Sequence, residues 1–376
     1  MRIQRVYDDL DSFLVAGKVL VVYGPRRVGK TTLIQHYLNT TKLRYRFVSG
    51  DDISIQKALG SQSIQSISEL VQGVDLFVID EAQRVPFIGY GLKIMVDHNP
   101  SLKVITTGSA SFDLQNKIGE PLVGRKRTLR LYPISQKELN QHYTLFELRE
   151  QLSKRLIFGS YPEVITQLSA KDQIEILHEI VHSLLLKDIL ELERVKGSAV
   201  LHDLLRLLAF QVGNEVSHQE IGMTIGLDKK TVGRYLDLFE KAFLIFNLRG
   251  FSRNLRKEIT KKGKYYFFDN GIRNALIANF NELSMRNDVG SLWENFLFIE
   301  RMKKLEYSSI FANSFFWRTW DQKEIDYIEE KDGALYGYEF KWKSKNPSKG
   351  SKTFLETYSD SSLEVVTPEN FFSFIL

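Results

Sequence analysis

The feature that most constrains this chain is an apolar run followed directly by a glycine-rich loop and a helix-forming segment. Residues 18–23 are the apolar run, and the loop reads Gly24-Pro25-Arg26-Arg27-Val28-Gly29-Lys30-Thr31-Thr32, which fits G-x-x-x-x-G-K-[ST]. Glycines in such a loop let backbone N–H groups approach phosphate oxygens, and the positive end of the next helix acts on the same anion. We therefore expect residues 24–32 to bind a nucleotide, with Lys30 on the β- and γ-phosphates and Thr31 on Mg²⁺.

A second apolar run, residues 74–79, ends in Asp80 and Glu81. At the carboxyl edge of a parallel sheet, Asp80 can hold Mg²⁺ through water and Glu81 can polarise the water that attacks the γ-phosphate. Residues 103–106 form another candidate strand, and Thr107 or Ser109 at its tip is expected to orient that water. The alternative for these two hydroxyls is a helix cap.

Short apolar runs alternate with helical stretches through the first third of the chain. The predicted strands are residues 18–23, 45–48, 76–79, 103–106 and 128–131. Continuous apolar runs separated by helices are typical of a parallel sheet that is covered on both faces. The predicted fold class is therefore α/β.

Together these motifs resemble the AAA-type ATPases of the P-loop superfamily. The resemblance implies a sheet in the order 5-1-4-3-2, with ATP and Mg²⁺ at the carboxyl ends of the strands. Further stretches resemble a prokaryotic group in which such an ATPase is fused to a C-terminal domain of unknown function. They are residues 80–83, 107–111, 124–125, 131–135 and 159–163.

The resemblance extends over nearly the whole chain and implies four parts: an ATPase core (1–140), a helical lid (141–210), a winged helix (211–280) and a nuclease-like domain (281–376). Arg125 and Arg127 are candidates for an arginine finger acting in trans in a homo-oligomer. The alternative is that they are surface arginines on an amphipathic edge.

Residues 217–227 and 229–236 read as two helices joined by a glycine turn, with Asp228 as the cap of the second helix. Two strand-like runs follow, residues 243–248 and 264–268. The segment between them is basic, with Arg253, Arg256, Lys257, Lys261, Lys262 and Lys264 against Glu258. This pattern predicts a winged helix.

On DNA or RNA, Lys229, Lys230 and Arg234 would face the groove and the hairpin lysines, Lys264 included, would contact phosphate. The alternative partner for such a module is a protein, with the basic tip solvated.

The last hundred residues contain a second candidate site. Residues 324–328 and 338–342 read as a hairpin that turns at residues 331–333, and Glu294 lies in a preceding helix. Asp326 followed by Glu339 and Lys341 on the partner strand resembles the PD-(D/E)xK nuclease core. The resemblance implies a second Mg²⁺ site on Asp326 and Glu339, with Glu294 and Lys341 beside it. The alternative is that Glu339 and Lys341 form the solvent side of an amphipathic strand.

Composition limits the remaining classes. The chain has 376 residues, a net charge of +5 and no cysteine, which excludes disulfides and thiolate metal sites. No apolar run approaches the ~20 residues that span a bilayer, and the N-terminus lacks a signal-peptide core, so we expect a cytoplasmic protein without a membrane partner. The expected activity is ATP hydrolysis that drives or switches a conformational change. The alternatives are an ATP-regulated, metal-dependent nuclease and an interaction protein that assembles on nucleotide.

Overall fold

The computed structural model describes residues 2–108, 121–184, 198–253, 262–343 and 346–376. Five residues named above, Ser109, Arg256, Lys257, Glu258 and Lys261, lie outside these ranges.

The described strands and helices follow one another along the chain in this order: β1 (Val19–Tyr23), α1 (Lys30–Leu38), β2 (Tyr45–Ser49), α2 (Ile53–Gly60), α3 (Ile64–Val71), β3 (Leu76–Asp80), α4 (Ile88–His98), β4 (Lys103–Gly108), β5 (Lys126–Arg130), α5 (Gln136–Leu139), α6 (Leu145–Glu150), α7 (Leu152–Phe158), α8 (Pro162–Ile165), α9 (Ala170–Ser183), α10 (Ser198–Phe210), β6 (Glu215–Val216), α11 (His218–Ile225), α12 (Lys229–Lys241), β7 (Ile245–Gly250), β8 (Gly263–Phe267), α13 (Asn270–Leu276), α14 (Val289–Tyr307), β9 (Asn313–Arg318), β10 (Glu324–Lys331), β11 (Ala334–Phe340), α15 (Lys349–Thr357), β12 (Ser361–Val366) and α16 (Phe371–Ile375). No described helix combines the length and the hydropathy needed to cross a bilayer.

The first sheet has five described strands in the order β2-β3-β4-β1-β5, and all of their pairings are parallel. This order and the five predicted strands are confirmed. Every residue of β1, an interior strand between β4 and β5, is buried, which explains why its sequence is a continuous apolar run. Because the strands are parallel, Tyr23, Asp80 and Gly108 end at the same edge of the sheet.

The second sheet is mixed and has seven described strands in the order β12-β11-β10-β9-β7-β8-β6. The hairpin β7–β8 joins it because β7 pairs in parallel with β9, at Arg249 with Phe315 and Gly250 with Phe316. One sheet therefore runs across the predicted boundary between residues 280 and 281. The two parts predicted there share a hydrogen-bonded framework.

The predicted C-terminal hairpin is present as β10 and β11, paired antiparallel with Lys331 opposite Ala334. Asp332 and Gly333 at the turn have φ of 53° and 81°. Positive φ at both central residues is the geometry of a type I′ turn, whose twist matches that of the flanking strands. The turn residues thus fix the register that places Asp326 and Glu339 on neighbouring strands.

The helices after β5 are tied to the second sheet by a buried carboxylate. Asp269, between β8 and α13, accepts hydrogen bonds from the backbone N–H of Ser160 at 2.6 Å and of Gly271 at 2.8 Å. Burial raises the pKa of Asp269 to about 6. Residues 159–163 are therefore anchored to the start of α13.

Candidate functional site

The glycine-rich loop begins directly after β1, at a position where the neighbouring backbone leaves no room for a side chain. Gly24 has a φ of 154°, and a Cβ atom there would lie 2.0 Å from the carbonyl oxygen of Leu131. Gly29, which precedes α1, has a φ of 92° in the left-handed region. These conformations bring the loop around the amino end of α1, where backbone N–H groups and the helix dipole favour an anion.

Lys30 points back into this loop. Its side chain is buried, and Nζ donates to the carbonyl oxygens of Gly24 at 2.9 Å and Pro25 at 2.7 Å. An ammonium held inside a ring of loop backbone is placed to meet phosphate oxygens that enter the same ring. Phosphate binding by Lys30 stays a prediction.

Thr31, Asp80 and Thr107 converge at the edge where β1, β3 and β4 end. The Thr31 hydroxyl donates to Asp80 Oδ2 at 2.9 Å. The buried Thr107 hydroxyl donates to Asp80 Oδ1 and accepts the backbone N–H of Glu81 at 3.0 Å. A threonine hydroxyl and a carboxylate are oxygen donors of the kind Mg²⁺ prefers, so the residues present fit that ion.

Gln83, to which the sequence motifs assign no role, holds the side chain of Glu81. The backbone of Glu81 has a φ of 52°, and its carboxylate accepts a hydrogen bond from the side-chain amide of Gln83. Gln83 is itself buried. The amide donor fixes the carboxylate of Glu81 at the edge of the site.

Arg5 is a second residue that the sequence reasoning missed. Its guanidinium is buried and donates from Nε to Glu138 Oε1 at 2.8 Å, from Nη1 to the carbonyl oxygen of Val28 at 2.6 Å, and from Nη2 to that of Tyr132 at 2.6 Å. Glu138 is fully buried and also closes a capping box with Ser135 at the start of α5. One ion pair thus fixes the N-terminal segment, the loop and the segment after β5.

Arg27, another loop residue, forms ion pairs with the helices that follow β5. It has a φ of 59°, and its Nη1 lies 3.0 Å from a Glu179 oxygen and 3.5 Å from a Glu163 oxygen. All three side chains are substantially exposed. Among the other loop residues, Pro25 and Val28 are buried, whereas Arg26 is half-buried and Thr32 is exposed in the first turn of α1.

A cavity of about 350 Å³ opens beside the loop. Ile3, Val28, Leu33, Ile134 and Pro162 provide apolar walls, while the other lining residues are Arg2, Arg5, Gly29, Thr32, Glu163 and Thr166. An apolar chamber with a few polar groups is typical of a small-molecule site.

Arg125 lies at the other edge of the first sheet. Its carbonyl oxygen accepts the backbone N–H of Val19, at the amino end of β1, at 2.8 Å. Its Nε lies 2.5 Å from Asp97 Oδ1. The structure therefore does not bring Arg125 to the loop of its own chain, and a finger acting in trans stays a prediction.

A second group of charges lies in the seven-stranded sheet, around Lys264. This side chain is 1% exposed, and its Nζ lies 3.4 Å from Glu294 Oε1 and in contact with Glu324. Tyr266 donates to Glu294 at 2.7 Å. The prediction that Lys264 contacts phosphate is wrong, because burial and pairing with two carboxylates remove its ammonium from the surface.

Asp326 lies in the same group of charges. Burial and the charge of Glu294 raise its pKa to about 7, against the opposing influence of Lys264 and Lys341. Asp326 Oδ2 accepts the backbone N–H of Phe340 at 2.8 Å. The Lys264 ammonium, supplied by β8, and Lys341 are both cations that act on Asp326.

Glu339 has a different set of partners. It is 1% exposed, so it does not form a solvent-facing side of β11. Its carboxylate accepts hydrogen bonds from the backbone N–H and hydroxyl of Ser348 and from the hydroxyl of Ser351, and Lys341 Nζ lies 3.3 Å away. Within the described ranges, no three His, Asp or Glu side chains lie together as a metal-binding group. A second Mg²⁺ site on Asp326 and Glu339 therefore stays a prediction.

Comparison with known proteins adds a family for part of the chain. Residues 16–140 match a family model described as an AAA domain. Residues 149–283 and 289–371 match domains of unknown function, DUF8612 and DUF4143. Together with the loop geometry, the AAA match supports a P-loop ATPase in the first third of the chain, as the motifs predict.

Similar full-length proteins are uncharacterized. One from Mycobacterium tuberculosis is 25% identical over 336 residues, which cover 88% of this chain and 71% of the relative. One from Haemophilus influenzae is 27% identical over 347 residues, covering 85% and 81%. A solved Walker-type ATPase of Pyrococcus abyssi aligns with a TM-score of 0.48 and 15% identity, covering 73% of this chain and 96% of that one.

We predict that Arg5→Ala destabilises the protein by about 3–5 kcal/mol, because it leaves Glu138 as an unpaired buried carboxylate. Thermal or denaturant unfolding measures the loss. The control is Arg44→Ala, which removes an ion pair to Asp75 whose side chains are 71% and 43% exposed. We expect little change there. Equal losses in the two variants would contradict a special role for the buried pair.

We predict that the unfolding free energy falls as pH rises from about 4 to about 7, in part through Asp326. The folded protein retains a proton on this carboxyl up to about pH 7, whereas the unfolded chain releases it near pH 4. Asp326→Asn removes this titrating carboxyl, so the unfolding free energy of the variant should change less with pH. The control is Asp332→Asn at the exposed turn, which keeps the wild-type profile. Parallel pH profiles for wild type and Asp326→Asn would contradict the prediction.

Proposed function

We propose that the chain binds ATP·Mg²⁺ in the loop of residues 24–32 and hydrolyses it to switch its own conformation. The observation that carries the proposal is the joint arrangement of Lys30 inside the loop and Thr31 hydrogen-bonded to Asp80 at the same sheet edge. The apolar cavity beside Ile3 and Leu33 adjoins the loop and suits the base of the nucleotide.

Each residue then has a chemical role in hydrolysis. Lys30 and the loop N–H groups bind the β- and γ-phosphates, and Thr31 and Asp80 hold Mg²⁺, directly or through water. When bound, Mg²⁺ neutralises charge that develops on the phosphate oxygens. Glu81 orients and polarises the attacking water, while Thr107 fixes Asp80 and the backbone of Glu81.

The resting hydrogen bonds also indicate what nucleotide binding changes. The Thr31 hydroxyl donates to Asp80, and Lys30 donates to two loop carbonyls. Phosphate oxygens offer Lys30 a charged acceptor in place of neutral carbonyls, which is the stronger hydrogen bond. Ligand binding therefore exchanges contacts within the loop for contacts to the nucleotide.

We predict that Lys30→Ala abolishes ATP binding, because the loop loses the cation that faces the β- and γ-phosphates. Glu81→Gln is the matched variant, because it keeps the phosphate cradle and removes the group that polarises water. It should bind ATP with wild-type affinity and lose at least 100-fold in turnover, within the usual contribution of a general base. Calorimetry and phosphate release measure the two properties. Wild-type affinity in Lys30→Ala, or wild-type turnover in Glu81→Gln, would overturn the corresponding assignment.

We further propose that β7, β8, α11 and α12 form a winged helix that binds nucleic acid. The support is the order of elements, a capped helix, a left-handed Gly226 and a second helix that begins with Lys229 and Lys230. Lys230 is exposed on this helix. The nuclease alternative lacks a comparable support, because Lys264 pairs with Glu294 and the Ser348 hydroxyl donates to Glu339.

We predict that Lys230→Gln with Arg234→Gln weakens binding to any short duplex and makes its salt dependence shallower. If both residues contact phosphate, the slope of log affinity against log salt decreases in magnitude by about 1.8, or 0.9 per contact. Fluorescence anisotropy at several salt concentrations measures the slope. A protein-docking role for this module predicts no duplex binding by the wild type, even at low salt.

A further inference from the structure

A second cavity, of about 600 Å³, lies between the helix pair α11–α12 and the hairpin β7–β8. Its lining brings together Lys229 from the start of α12, Arg249 from β7 and Lys262 from the residue before β8. Three cations from separate elements thus face one concave space. The cavity is distinct from the proposed ATP site, and two of its cations, Lys229 and Lys262, belong to the predicted winged helix.

These cations are available to an external anion. Lys229 and Arg249 are exposed. Lys262 Nζ lies 3.9 Å from Glu220 Oε1, near the upper limit for an ion pair. Both side chains are more than half exposed, so solvent screens this pair. Lys264, two residues further along the hairpin, is by contrast not available to an external anion, because it is buried between Glu294 and Glu324.

The other polar groups of the cavity add little negative charge. His218 Nε2 lies 3.1 Å from the Tyr265 hydroxyl, and burial together with Lys229 lowers the pKa of His218. Glu240, which is half-buried, interacts with both Arg249 and Tyr265. Burial raises its pKa to about 7, so its carboxyl is partly protonated at neutral pH.

Backbone and amide groups complete the surface. Ser217, His218 and Gln219 at the amino end of α11 line the cavity, so the positive end of that helix dipole faces it. Asn247 also lines it, and its buried Oδ1 has no hydrogen-bond partner among the described residues.

We infer that this cavity binds one nucleotide unit of a nucleic-acid strand, with its phosphate between Lys229, Arg249 and Lys262. The volume lies in the ~300–1,000 Å³ range of small-molecule sites and exceeds what phosphate alone needs. The inference rests on the proposed nucleic-acid binding and deepens it, since it replaces a diffuse basic surface with one phosphate subsite. Contacts elsewhere on α12 then add affinity without occupying the cavity.

The test compares two double variants that remove the same charge. Lys229→Gln with Arg249→Gln removes two cations from the cavity. Lys171→Gln with Lys352→Gln, the control, removes two exposed cations that lie outside both the cavity and the proposed winged helix. Binding of inorganic phosphate to the whole protein is followed by calorimetry with the ATP site saturated by a non-hydrolysable ATP analogue. We expect the cavity variant to lose phosphate binding at least 10-fold and the control variant to keep it.

A second measurement links the cavity to the strand. At matched ionic strength, phosphate should displace a labelled oligonucleotide from the wild type and the control variant more effectively than chloride does. The cavity variant should show no difference between the two anions. Circular dichroism and melting temperature verify that both variants are folded.

The outcomes separate the two proposals. Equal phosphate affinity in the wild type and the cavity variant overturns the subsite, whatever the strand affinity. Phosphate binding that depends on the cavity, with no strand binding by the wild type at low salt, overturns the nucleic-acid proposal and with it the assigned strand ligand. If the wild type binds the strand but phosphate and chloride displace it equally, the proposed winged helix is retained and the phosphate subsite is overturned.

Discussion

The buried pair of Arg5 and Glu138 is the interaction on which the geometry of the glycine-rich loop, the proposed ATP site, depends. Its two members are 133 residues apart in sequence, and the guanidinium also bonds to Val28 in the loop and Tyr132 after β5. A buried charge pair is stabilising only when its remaining hydrogen-bonding capacity is satisfied. Here the loop carbonyl is one of the acceptors that satisfy it, so the conformation of the loop and the folding of the N-terminal segment are coupled.

The segment after β5 extends this coupling to the C-terminal part of the chain. Helix α14 contacts it along its length: Tyr307 accepts the backbone N–H of Tyr132 at 3.1 Å, and Glu300 accepts that of Gln136 at 2.6 Å. The same helix provides Glu294 to the group of charges around Lys264. A single rigid element therefore contacts both the support of the ATP site and the interior of the second sheet.

Local patterns were sufficient to predict the first sheet, but not the partners that complete each site. The strand β1 and the loop at Gly24 are specified by adjacent residues, and so is the turn at Asp332 and Gly333. Arg5 carried no such signal, because its partners come from three separate segments. Lys264 was misread for the same reason: it lies in a basic run, and only the tertiary pairing of β7 with β9 brings its side chain beside Glu294 and Glu324.

The loop is held unequally on its two sides, and the magnitudes decide which side is held more weakly. Breaking the buried bond network of Arg5 costs several kcal/mol, whereas the pairs of Arg27 with Glu163 and Glu179 are exposed and contribute at most about 1 kcal/mol each. The helices α8 and α9, which carry Glu163 and Glu179, are therefore held to the loop more weakly by these pairs than the N-terminal segment is held by Arg5.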